Sequence, residues 1–571
     1  MKNLLKSWSI RLNLLAIAAV LTAVALPALP WLPLLLGLIV FACVAWKFGG
    51  SVASLRIPRT LVALAVLIGV WFDGGLERWP LLAAGILVTL FIAYADIAAK
   101  ALNVGFLESV SLGVVRTRRQ RLTAPAAIGR LTDTLSILYV LAAAVPAEGA
   151  SRVTDPLFLT AALVILGWTG SVVLSNHLHR RRESHPVDIQ VISAIRRLQP
   201  RFVVHFAGAR ESEYQLAMWL DYFEAVGDPY LIIIRDRYLL DGISARTGAP
   251  IVLVPAQSVL DSLLPDSVRA CYYVNHAVKN AQLIKLDKYL HVQLMHGDSD
   301  KAISRSPVSL MYDRVFVAGQ AGVDRYHRHG VDIPNYKFRR IGRPQLHDLQ
   351  VGRREKIEGA RPVVLYTPTW TGLTADVNYS SLQEGRRIVE AILERDVTIV
   401  FRTHPYTRTN AAYQALAEEI KSLIAADAAQ TGRAHLWGAQ AETEVGLTDC
   451  VNAADVAISD ISGTASDWLY SGRPFAMTDP KAFKDAYLEE FPLAKASYLL
   501  EPDAANIKEV LDELLVTDSK ASLRSEIRDY YLGDIAPDAL IPLFTAEVKA
   551  TYAEPVHKVA TGESALSTVI R

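Results

Sequence analysis

The hydrophobic pattern divides the chain into two parts. Before His177, long apolar runs dominate, and most of them approach the roughly 17–25 residues that a membrane-spanning helix needs. After Arg182 the apolar runs are short and alternate with longer mixed segments. We therefore predict an α-helical transmembrane domain over residues 1–180 with about six spans. The six runs are Leu12–Leu29, Trp31–Trp46, Leu61–Phe72, Leu81–Ala99, Leu131–Pro146 and Leu157–Ser175.

The charges between these runs predict their orientation. Basic residues occupy every second loop, including the segments Lys100–Arg130 and Arg180–Arg182. The intervening loops around Glu77 and Glu148 are neutral or mixed. Because Lys and Arg concentrate in cytosolic loops, we predict that the N-terminus and everything after Ser175 are cytosolic.

Beyond Arg182 the short apolar runs predict parallel β-strands. Helix-length segments such as Glu211–Val226 separate several of them, and strands alternating with helices indicate βαβ units. The first series of candidate strands is Phe202–Phe206, Tyr230–Ile234, Ile251–Val254, Ala270–Val274, His291–Met295 and Arg314–Val317. The second series is Val363–Tyr366, Val397–Phe401, Val456–Ser459 and Phe475–Thr478.

Two such series predict a two-lobed α/β enzyme. We assign residues 181–345 to an N-terminal lobe, 346–554 to a C-terminal lobe and 555–571 to a disordered tail. The linker is expected near residues 345–361. Open parallel sheets bind ligands at the carboxyl ends of their strands, so the site is expected in the cleft.

Composition excludes several classes of protein. The net charge of +1 gives no reason to expect a nucleic-acid partner. Cys43, Cys271 and Cys450 form no CxxC pair, so neither a disulfide framework nor a zinc site is indicated. The chain has no P-loop, no GxGxxG opening its first βα unit, no HExxH and no GxSxG elbow.

Three strand ends carry residues suited to phosphate chemistry. The first is His296-Gly297, with Lys301 close behind, after the strand His291–Met295. A histidine can act as a general base near neutral pH, and a lysine can neutralise phosphate. A plain structural turn explains His-Gly equally well.

The second strand end is Arg402-Thr403-His404-Pro405, after Val397–Phe401. Pro405 keeps the preceding residue out of the helical region, so the chain leaves the sheet extended. Arg402 can make a bidentate phosphate contact. The alternative is a solvated strand end with an ion pair between the lobes.

The third strand end is the most specific. After Val456–Ser459, the small residues Ser462–Ser466 turn into a helix, and a helix N-terminus presents free N–H groups to an anion. Asp460 and Asp467 can orient this turn, cap it, or bond a ribose or acceptor hydroxyl. Simple capping explains Asp460 and Ser462 as well.

A fourth strand end, Tyr366–Trp370, adds an aromatic residue. Trp370 can close a pocket or stack on a base, and it can equally pack the lobe interface. Weaker cleft candidates, which ordinary loops also explain, are Arg343-Pro344 and Asn275-His276.

Together these residues resemble the CDP-glycerol glycerophosphotransferases, the poly(glycerol phosphate) polymerases of teichoic-acid synthesis, which have a GT-B fold. Order and spacing agree over about Ile284–Asp479. The sequence departs from the family pattern at Met295, where Trp is usual, and at Gly463, where a second Ser is usual. The matching residues are His296, Gly297, Lys301, Tyr366, Pro368, Thr369, Trp370, Arg402, His404, Pro405, Ser459, Asp460, Ser462, Asp467, Trp468, Arg473 and Pro474.

The resemblance implies a site with His296 as catalytic base, and with His404 and the Ser462–Thr464 turn holding the donor diphosphate. No cofactor is certain beyond CDP-glycerol as the donor substrate, and no carboxylate cluster in the sequence demands a metal, although a phosphate-bound Mg²⁺ is left open. The predicted catalytic residues are His296, Asp460 and His404. The predicted donor-binding residues are Lys301, Thr369, Trp370, Arg402, His404, Ser462, Gly463, Thr464 and Asp467.

We therefore expect a GT-B phosphotransferase of the EC 2.7.8 type at the cytosolic face of a bacterial cell membrane. It would transfer glycerol phosphate, or a related alditol phosphate, from a CDP-linked donor to a hydroxyl of a lipid-linked cell-wall acceptor. Its donor-binding lobe would be the C-terminal one and its acceptor-side lobe the N-terminal one. Its partners would be the bilayer, the CDP-activated donor and the acceptor polymer, and not nucleic acid; a homo-oligomer is left open.

Two other classes of function remain. The first is a GT-B glycosyltransferase that uses a nucleotide sugar on a lipid-linked glycan. The second is a transporter or scaffold with a degenerate transferase domain. Against the second, the apolar runs are largely free of the ionisable groups that transporters usually need; the exceptions, Asp96 and Asp133, lie near run ends.

Overall fold

The computed structural model describes residues 8–48, 56–103, 107–114, 125–147, 149, 151–355, 358–372 and 377–555. Its chain divides into two compact units, residues 1–108 with 114–191, and residues 109–113 with 192–571. Three parts of the sequence named above lie outside the described residues. They are Glu148, residues 115–124 of the predicted basic loop, and residues 556–571 of the predicted tail.

Helices dominate the first unit, and each predicted apolar run falls largely within one of them. A short 3₁₀ turn, Gly75–Arg78, joins the third helix to the fourth. The helices are α1 (Trp8–Ala25), α2 (Trp31–Phe48), α3 (Arg56–Gly74), α4 (Trp79–Asn103), α5 (Pro125–Ala143) and α6 (Ser151–Leu198).

Within the described residues, three helical stretches are long and apolar enough to cross a membrane. They are Trp8–Ala25, Arg56–Tyr94 and Ser151–Ser175, whereas Trp31–Trp46 is a shorter apolar helix. The predicted count of six spans is therefore not supported. Two of the predicted runs merge into the single 39-residue stretch Arg56–Tyr94, the run Trp31–Trp46 is too short for a full span, and the run Leu131–Pro146 is not among the three stretches.

Buried ion pairs join the helices of this unit. Arg78 donates from Nε and Nη2 to both carboxylate oxygens of Asp155, each at 2.9 Å, and from Nη1 to Asp73 at 2.9 Å. Arg59 pairs with Asp133 at 2.6 Å. The Arg78 contacts bring the end of α3 and the start of α6 together.

An eight-stranded sheet forms the N-terminal lobe, with strand order β1-β4-β3-β2-β5-β6-β7-β8. The described pairs from β4 to β8 are all parallel. Strand β3, Tyr-Leu-Ile-Ile-Ile, is buried along its whole length, as expected for a parallel strand covered on both faces. The strands are β1 (Glu108–Val110), β2 (Phe202–Phe206), β3 (Tyr230–Ile234), β4 (Ile251–Leu253), β5 (Ala270–Tyr273), β6 (Leu290–Gln293), β7 (Arg314–Val317) and β8 (Phe338–Arg340).

All six predicted strands of this lobe are confirmed, but both edge strands were missed. β1 and β8 have only three residues each, and a short polar edge strand carries no apolar run to detect. The helices of the lobe are α7 (Tyr214–Ala225), α8 (Arg237–Ser244), α9 (Gln257–Leu263), α10 (Ala281–Ile284) and α11 (Gln320–Arg328).

A five-stranded parallel sheet forms the C-terminal lobe, with strand order β10-β9-β11-β12-β13. The four predicted strands are confirmed and β13 is additional. The strands are β9 (Val363–Thr367), β10 (Thr398–Phe401), β11 (Val456–Ser459), β12 (Phe475–Thr478) and β13 (Tyr498–Leu500). The helices are α12 (Gly385–Leu393), α13 (Ala411–Thr431), α14 (Leu447–Ala453), α15 (Gly463–Tyr470), α16 (Tyr487–Glu490), α17 (Ile507–Asp512) and α18 (Ala521–Leu532).

The last helix, α19 (Pro537–Ala553), returns to the N-terminal lobe. Phe544 and Val548 belong to that lobe's hydrophobic core, and Phe544 lies 5.5 Å from Trp219 between ring centroids. The sequence analysis assigns residues 346–554 to the C-terminal lobe and does not predict that α19 packs on the N-terminal lobe. The α/β architecture with two parallel sheets, GT-B-like in this respect, is confirmed.

Candidate active site

The motif-bearing strand ends meet because of the strand order. β9 lies between β10 and β11 in the C-terminal sheet, so the segments that follow these three strands leave it side by side. The His296 segment approaches from the other lobe. A Cβ placed on Gly463 would lie 3.6 Å from the carbonyl oxygen of Asp298, so the loops of the two lobes are in contact.

His296 lies just beyond β6, and its hydrogen bond identifies its protonated nitrogen. Nδ1 lies 3.1 Å from the carbonyl oxygen of Val274, which can only accept. The proton is therefore on Nδ1, and Nε2 of the neutral ring is an acceptor. Desolvation lowers the pKa of His296. The hydrogen bond to Val274 opposes this shift and the positive charge of Arg343 adds to it, so that the ring is neutral near pH 7. This arrangement suits a general base.

His404 has the opposite arrangement. Its Nδ1 accepts a hydrogen bond from the backbone N–H of Tyr406 at 3.1 Å, so the proton of the neutral ring is on Nε2. Desolvation lowers the pKa of His404 to about 3, and the nearby charges of Lys301 and His296 act in the same direction. His404 is thus a neutral hydrogen-bond donor rather than a base.

An aromatic side chain that sequence reasoning missed lies between the two histidines. The ring of Tyr214, at the start of α7, meets His296 edge-on at 6.0 Å and His404 at 6.2 Å between centroids. Trp370 stacks on His404 at 5.9 Å and meets Tyr406 at 5.1 Å. Tyr214 carried no distinguishing signal, because an aromatic residue in an amphipathic helix usually belongs to the core.

Lys301 reaches from the N-terminal lobe to the C-terminal lobe. Its Nζ donates to Thr369 Oγ1 at 3.0 Å. Desolvation lowers the pKa of Lys301 to about 8, although the carboxylate of Asp460 opposes this shift. The two predicted donor-binding residues Lys301 and Thr369 are therefore adjacent, and the lysine is mostly charged at pH 7.

Asp460 is fully buried inside the C-terminal lobe. Its carboxylate accepts hydrogen bonds from Thr369 N at 2.6 Å, Ser381 N at 3.0 Å and Thr478 Oγ1 at 2.5 Å. Burial raises the pKa of Asp460, and these hydrogen bonds oppose that shift. The contacts tie together the ends of β9 and β12, so they favour a positioning role over the predicted catalytic one.

The turn after β11 is a capped helix N-terminus. Ser462 Oγ accepts from Ala465 N at 3.3 Å, as the capping interpretation predicts, and lies 3.2 Å from Ser459 Oγ. Gly463 and Thr464 begin α15, so their N–H groups have no acceptor within the helix. This turn retains the donors that an anion would use.

Asp467 forms a buried ion pair across the lobes. Arg343 Nε lies 2.6 Å from Asp467 Oδ1, and Nη2 donates to Oδ2 at 3.3 Å. Burial raises the pKa of Asp467, whereas Arg343 lowers it. The contact joins the end of β8 to α15 and gives Asp467 a protein partner in place of the predicted donor.

A second missed cluster supports the His296 loop. Arg325 pairs with Asp298 and, at 3.1 Å, with Asp300. Asp300 also accepts from Tyr531 Oη at 2.8 Å and Leu493 N at 3.2 Å. The sequence analysis did not predict this cluster, because its residues are far apart in sequence.

Arg402 is directed into its own lobe. Its Nη1 donates to the carbonyl oxygens of Ala441 and, at 2.7 Å, Val445. These bonds hold the turn Gln440–Glu444, and Thr403 Oγ1 donates to Glu442 there at 2.6 Å. The contacts of Arg402 therefore support neither a phosphate contact nor an interlobe ion pair.

No group of three or more His, Cys, Asp or Glu side chains in the described part of the chain is arranged to hold a metal ion. Cys271 and Cys450 are buried free thiols, and Cys43 is a half-buried one.

Two parallel sheets, with two neutral histidines, a lysine and a helix N-terminus between them, define a two-lobed α/β protein of GT-B-like build. Residues 345–512 match the family described as CDP-Glycerol:Poly(glycerophosphate) glycerophosphotransferase. The predicted resemblance to this family is confirmed. The match includes the motifs at Tyr366, Arg402 and Ser459, whereas His296 and Lys301 lie outside it.

Several solved structures align with this chain over nearly the whole of their own length. S. aureus MnaA with UDP has 12% identity and a TM-score of 0.43, and the alignment covers 63% of this chain and 98% of that one. The wall teichoic acid polymerase TagF has 14% identity and a TM-score of 0.39, covering 67% and 97%. A glycosyltransferase from Rickettsia africae ESF-5 has 14% identity and a TM-score of 0.39, covering 63% and 100%. No curated protein matches the sequence.

Proposed function

We propose that the protein is a membrane-attached transferase. It moves glycerol phosphate, or a related alditol phosphate, from a CDP-linked donor to a hydroxyl of a lipid-linked, teichoic-acid-like acceptor. The observation that carries this proposal is the opposite protonation of His296 and His404 at the cleft of a chain whose C-terminal lobe matches the glycerophosphotransferases.

On the acceptor side, the N-terminal lobe supplies the base. His296 Nε2 takes the proton of the acceptor hydroxyl as its oxygen attacks the β-phosphorus of the donor. The new O–P bond forms while the bond from phosphorus to the departing CMP breaks. The hydrogen bond from Nδ1–H to Val274 strengthens as the ring becomes an imidazolium.

On the donor side, the C-terminal lobe supplies hydrogen-bond donors. Negative charge spreads over the oxygens of the transferring phosphoryl group and the departing CMP. His404 Nε2–H and the N–H groups of Gly463 and Thr464 stabilise that charge, together with Lys301, which reaches across from the N-terminal lobe. Thr369 and Trp370 hold Lys301 and His404 in place through the contacts described above.

In this scheme Asp460, Asp467 and Arg402 act indirectly, by positioning other parts of the site. Asp460 fixes the backbone at Thr369, Asp467 pairs with Arg343 between the lobes, and Arg402 fixes the turn beyond β10.

The membrane attachment rests on the apolar helices. A lipid-linked acceptor is confined to the bilayer, and three helical stretches of the described residues suit a membrane. We propose that the catalytic lobes are cytosolic because Arg180–Arg182 follow the last stretch. Reporter fusions at the N-terminus and after Ser175 test this: three crossings place them on opposite sides, and a periplasmic or extracellular signal after Ser175 rejects the orientation.

The decisive experiment is donor-screened nucleotide release in membranes containing the protein. CDP-glycerol, CDP-ribitol and UDP-sugars are offered in turn, and CMP or UDP release is measured together with transfer of label to lipid. We expect CMP release from a CDP-alditol that disappears in His296→Ala. UDP release with transfer of a sugar would instead establish the glycosyltransferase alternative.

A further inference from the structure

The side chain of Gln293, the last residue of β6, connects two strand ends beneath the proposed base. It is completely buried. Its Oε1 accepts from Met295 N at 3.0 Å, while its Nε2 donates to the carbonyl oxygen of Asn275 at 3.0 Å and to His276 Nδ1 at 3.2 Å. One amide thus joins the exit of β6 to the exit of β5.

The residue held by this amide has an unusual backbone. Met295 has a φ of 58°, in the left-handed region that residues other than glycine rarely adopt. Its N–H is bound by Gln293, and its carbonyl oxygen accepts from Trp219 Nε1 at 2.9 Å. Because two buried side chains take both polar groups of Met295, the backbone is held in this conformation. His296 follows directly, so the direction of its side chain depends on it.

The partner of His296 is held by the same amide. His296 Nδ1 donates to Val274, and Val274 immediately precedes Asn275, whose carbonyl Gln293 binds. We propose that Gln293 is a positioning residue that sets both the ring of His296 and its carbonyl partner, so that Nε2 faces the acceptor hydroxyl. This inference rests on the proposed role of His296 as the base.

The chemistry requires an amide at this position, because the side chain must accept from one backbone group and donate to another. A carboxylate in Gln293→Glu keeps an acceptor for Met295 N–H but cannot donate to Asn275. Gln293→Met keeps the volume and loses every hydrogen bond. The charged or titratable groups near His296 are Arg343, His276, His404 and Tyr214.

The test is the pH dependence of acceptor-saturated CMP release. For Gln293→Met we expect kcat to fall about 10–100-fold, the range seen when groups that orient a functional side chain are removed, with an unchanged KM for the CDP-alditol. For Gln293→Glu we expect a similar fall and an acid limb about one pH unit higher, because a nearby negative charge favours the imidazolium. A merely structural role would lower the yield of folded protein without moving the limb.

Matched variants separate this effect from general damage. Gln345 is a partly buried glutamine of the same lobe, and its Nε2 donates to Met218 O at 3.2 Å instead of to the β5 and β6 strand ends. Gln345→Met should keep the wild-type kcat and acid limb. Trp219→Phe removes the indole N–H that binds Met295 and reduces the size of a core side chain, and it should lower kcat less than Gln293→Met does. If Gln293→Met does not fold, the same measurements of kcat and the acid limb on Gln293→Glu and Trp219→Phe test the proposal instead.

The outcomes distinguish this inference from the proposed function. If His296→Ala retains full activity, the base itself is wrongly assigned. If His296→Ala is inactive while both Gln293 variants keep the wild-type kcat and acid limb, the inference about Gln293 alone is rejected.

Discussion

His296 in the N-terminal lobe and His404 in the C-terminal lobe occupy similar places with opposite consequences. Each follows a buried parallel strand, and desolvation lowers the pKa of both. They differ in one contact: a carbonyl oxygen accepts from His296, whereas a backbone N–H donates to His404. Burial thus keeps both rings neutral, and a single backbone hydrogen bond decides which ring can accept a proton and which can donate one.

The strongest test of this comparison is His296→Ala. Because the variant lacks the proposed base, we expect kcat for CMP release to fall by about 10²–10⁴-fold. The variant should still bind the donor, and this binding is measured as protection of the protein against thermal unfolding. Wild-type turnover would contradict the assignment.

A smaller loss is expected for His404→Ala. Removing one preformed donor to a charged transition state typically costs about 10²–10³-fold in kcat. His404→Gln can donate from its amide in place of Nε2–H and should recover part of the rate. The acid limb of the pH profile should stay in place, because the pKa of His404 is already about 3. A lost acid limb in His404→Ala would make His404 the base and reverse the comparison.

The alkaline side of the profile tests the lysine between the histidines. Lys301 must be protonated to stabilise phosphate charge, and its protonated fraction falls as pH rises through its pKa of about 8. We therefore expect kcat/KM for the donor to fall by up to tenfold per pH unit above about pH 8. Lys301→Arg keeps the charge and should move this limb upward; an unchanged limb would assign it to another group.

The smallest expected effect concerns Arg343, whose charge lowers the pKa of His296. In Arg343→Met the imidazolium is less disfavoured, so the acid limb should move to higher pH by less than about one unit. The double variant Arg343→Met, Asp467→Leu controls for the carboxylate that the single change leaves without its partner. A shift to lower pH in both variants would contradict the electrostatic explanation.

Local sequence patterns predicted much of the fold. Continuous apolar runs such as Tyr230–Ile234 identified the buried strands, because a parallel strand covered on both faces needs apolar residues throughout. The short edge strands β1 and β8 were not predicted, because a strand of three residues with one exposed side has no continuous apolar run. The packing of α19 on the N-terminal lobe was not predicted either, because the sequence pattern of a helix does not specify which hydrophobic core it joins.

The candidate site was predicted unevenly for a related reason. Lys301 and Thr369 meet as expected from their strand ends. Asp460 and Arg402 lie at similar strand ends yet bond to their own lobe, which residue type alone does not reveal. Tyr214 carried no motif, and only packing places it between the histidines.

The sequence by itself determined which residues stand at the ends of the buried strands, because apolar periodicity and the small-residue turn are local properties. Its motifs at characteristic spacing also carry the resemblance to the glycerophosphotransferases, and residues 345–512 match that family. Only the tertiary structure decided the protonation pattern of the two histidines. The carbonyl that binds His296 belongs to Val274, 22 residues earlier and directly after the neighbouring strand β5, and the pairing of β5 with β6 brings it within 3.1 Å.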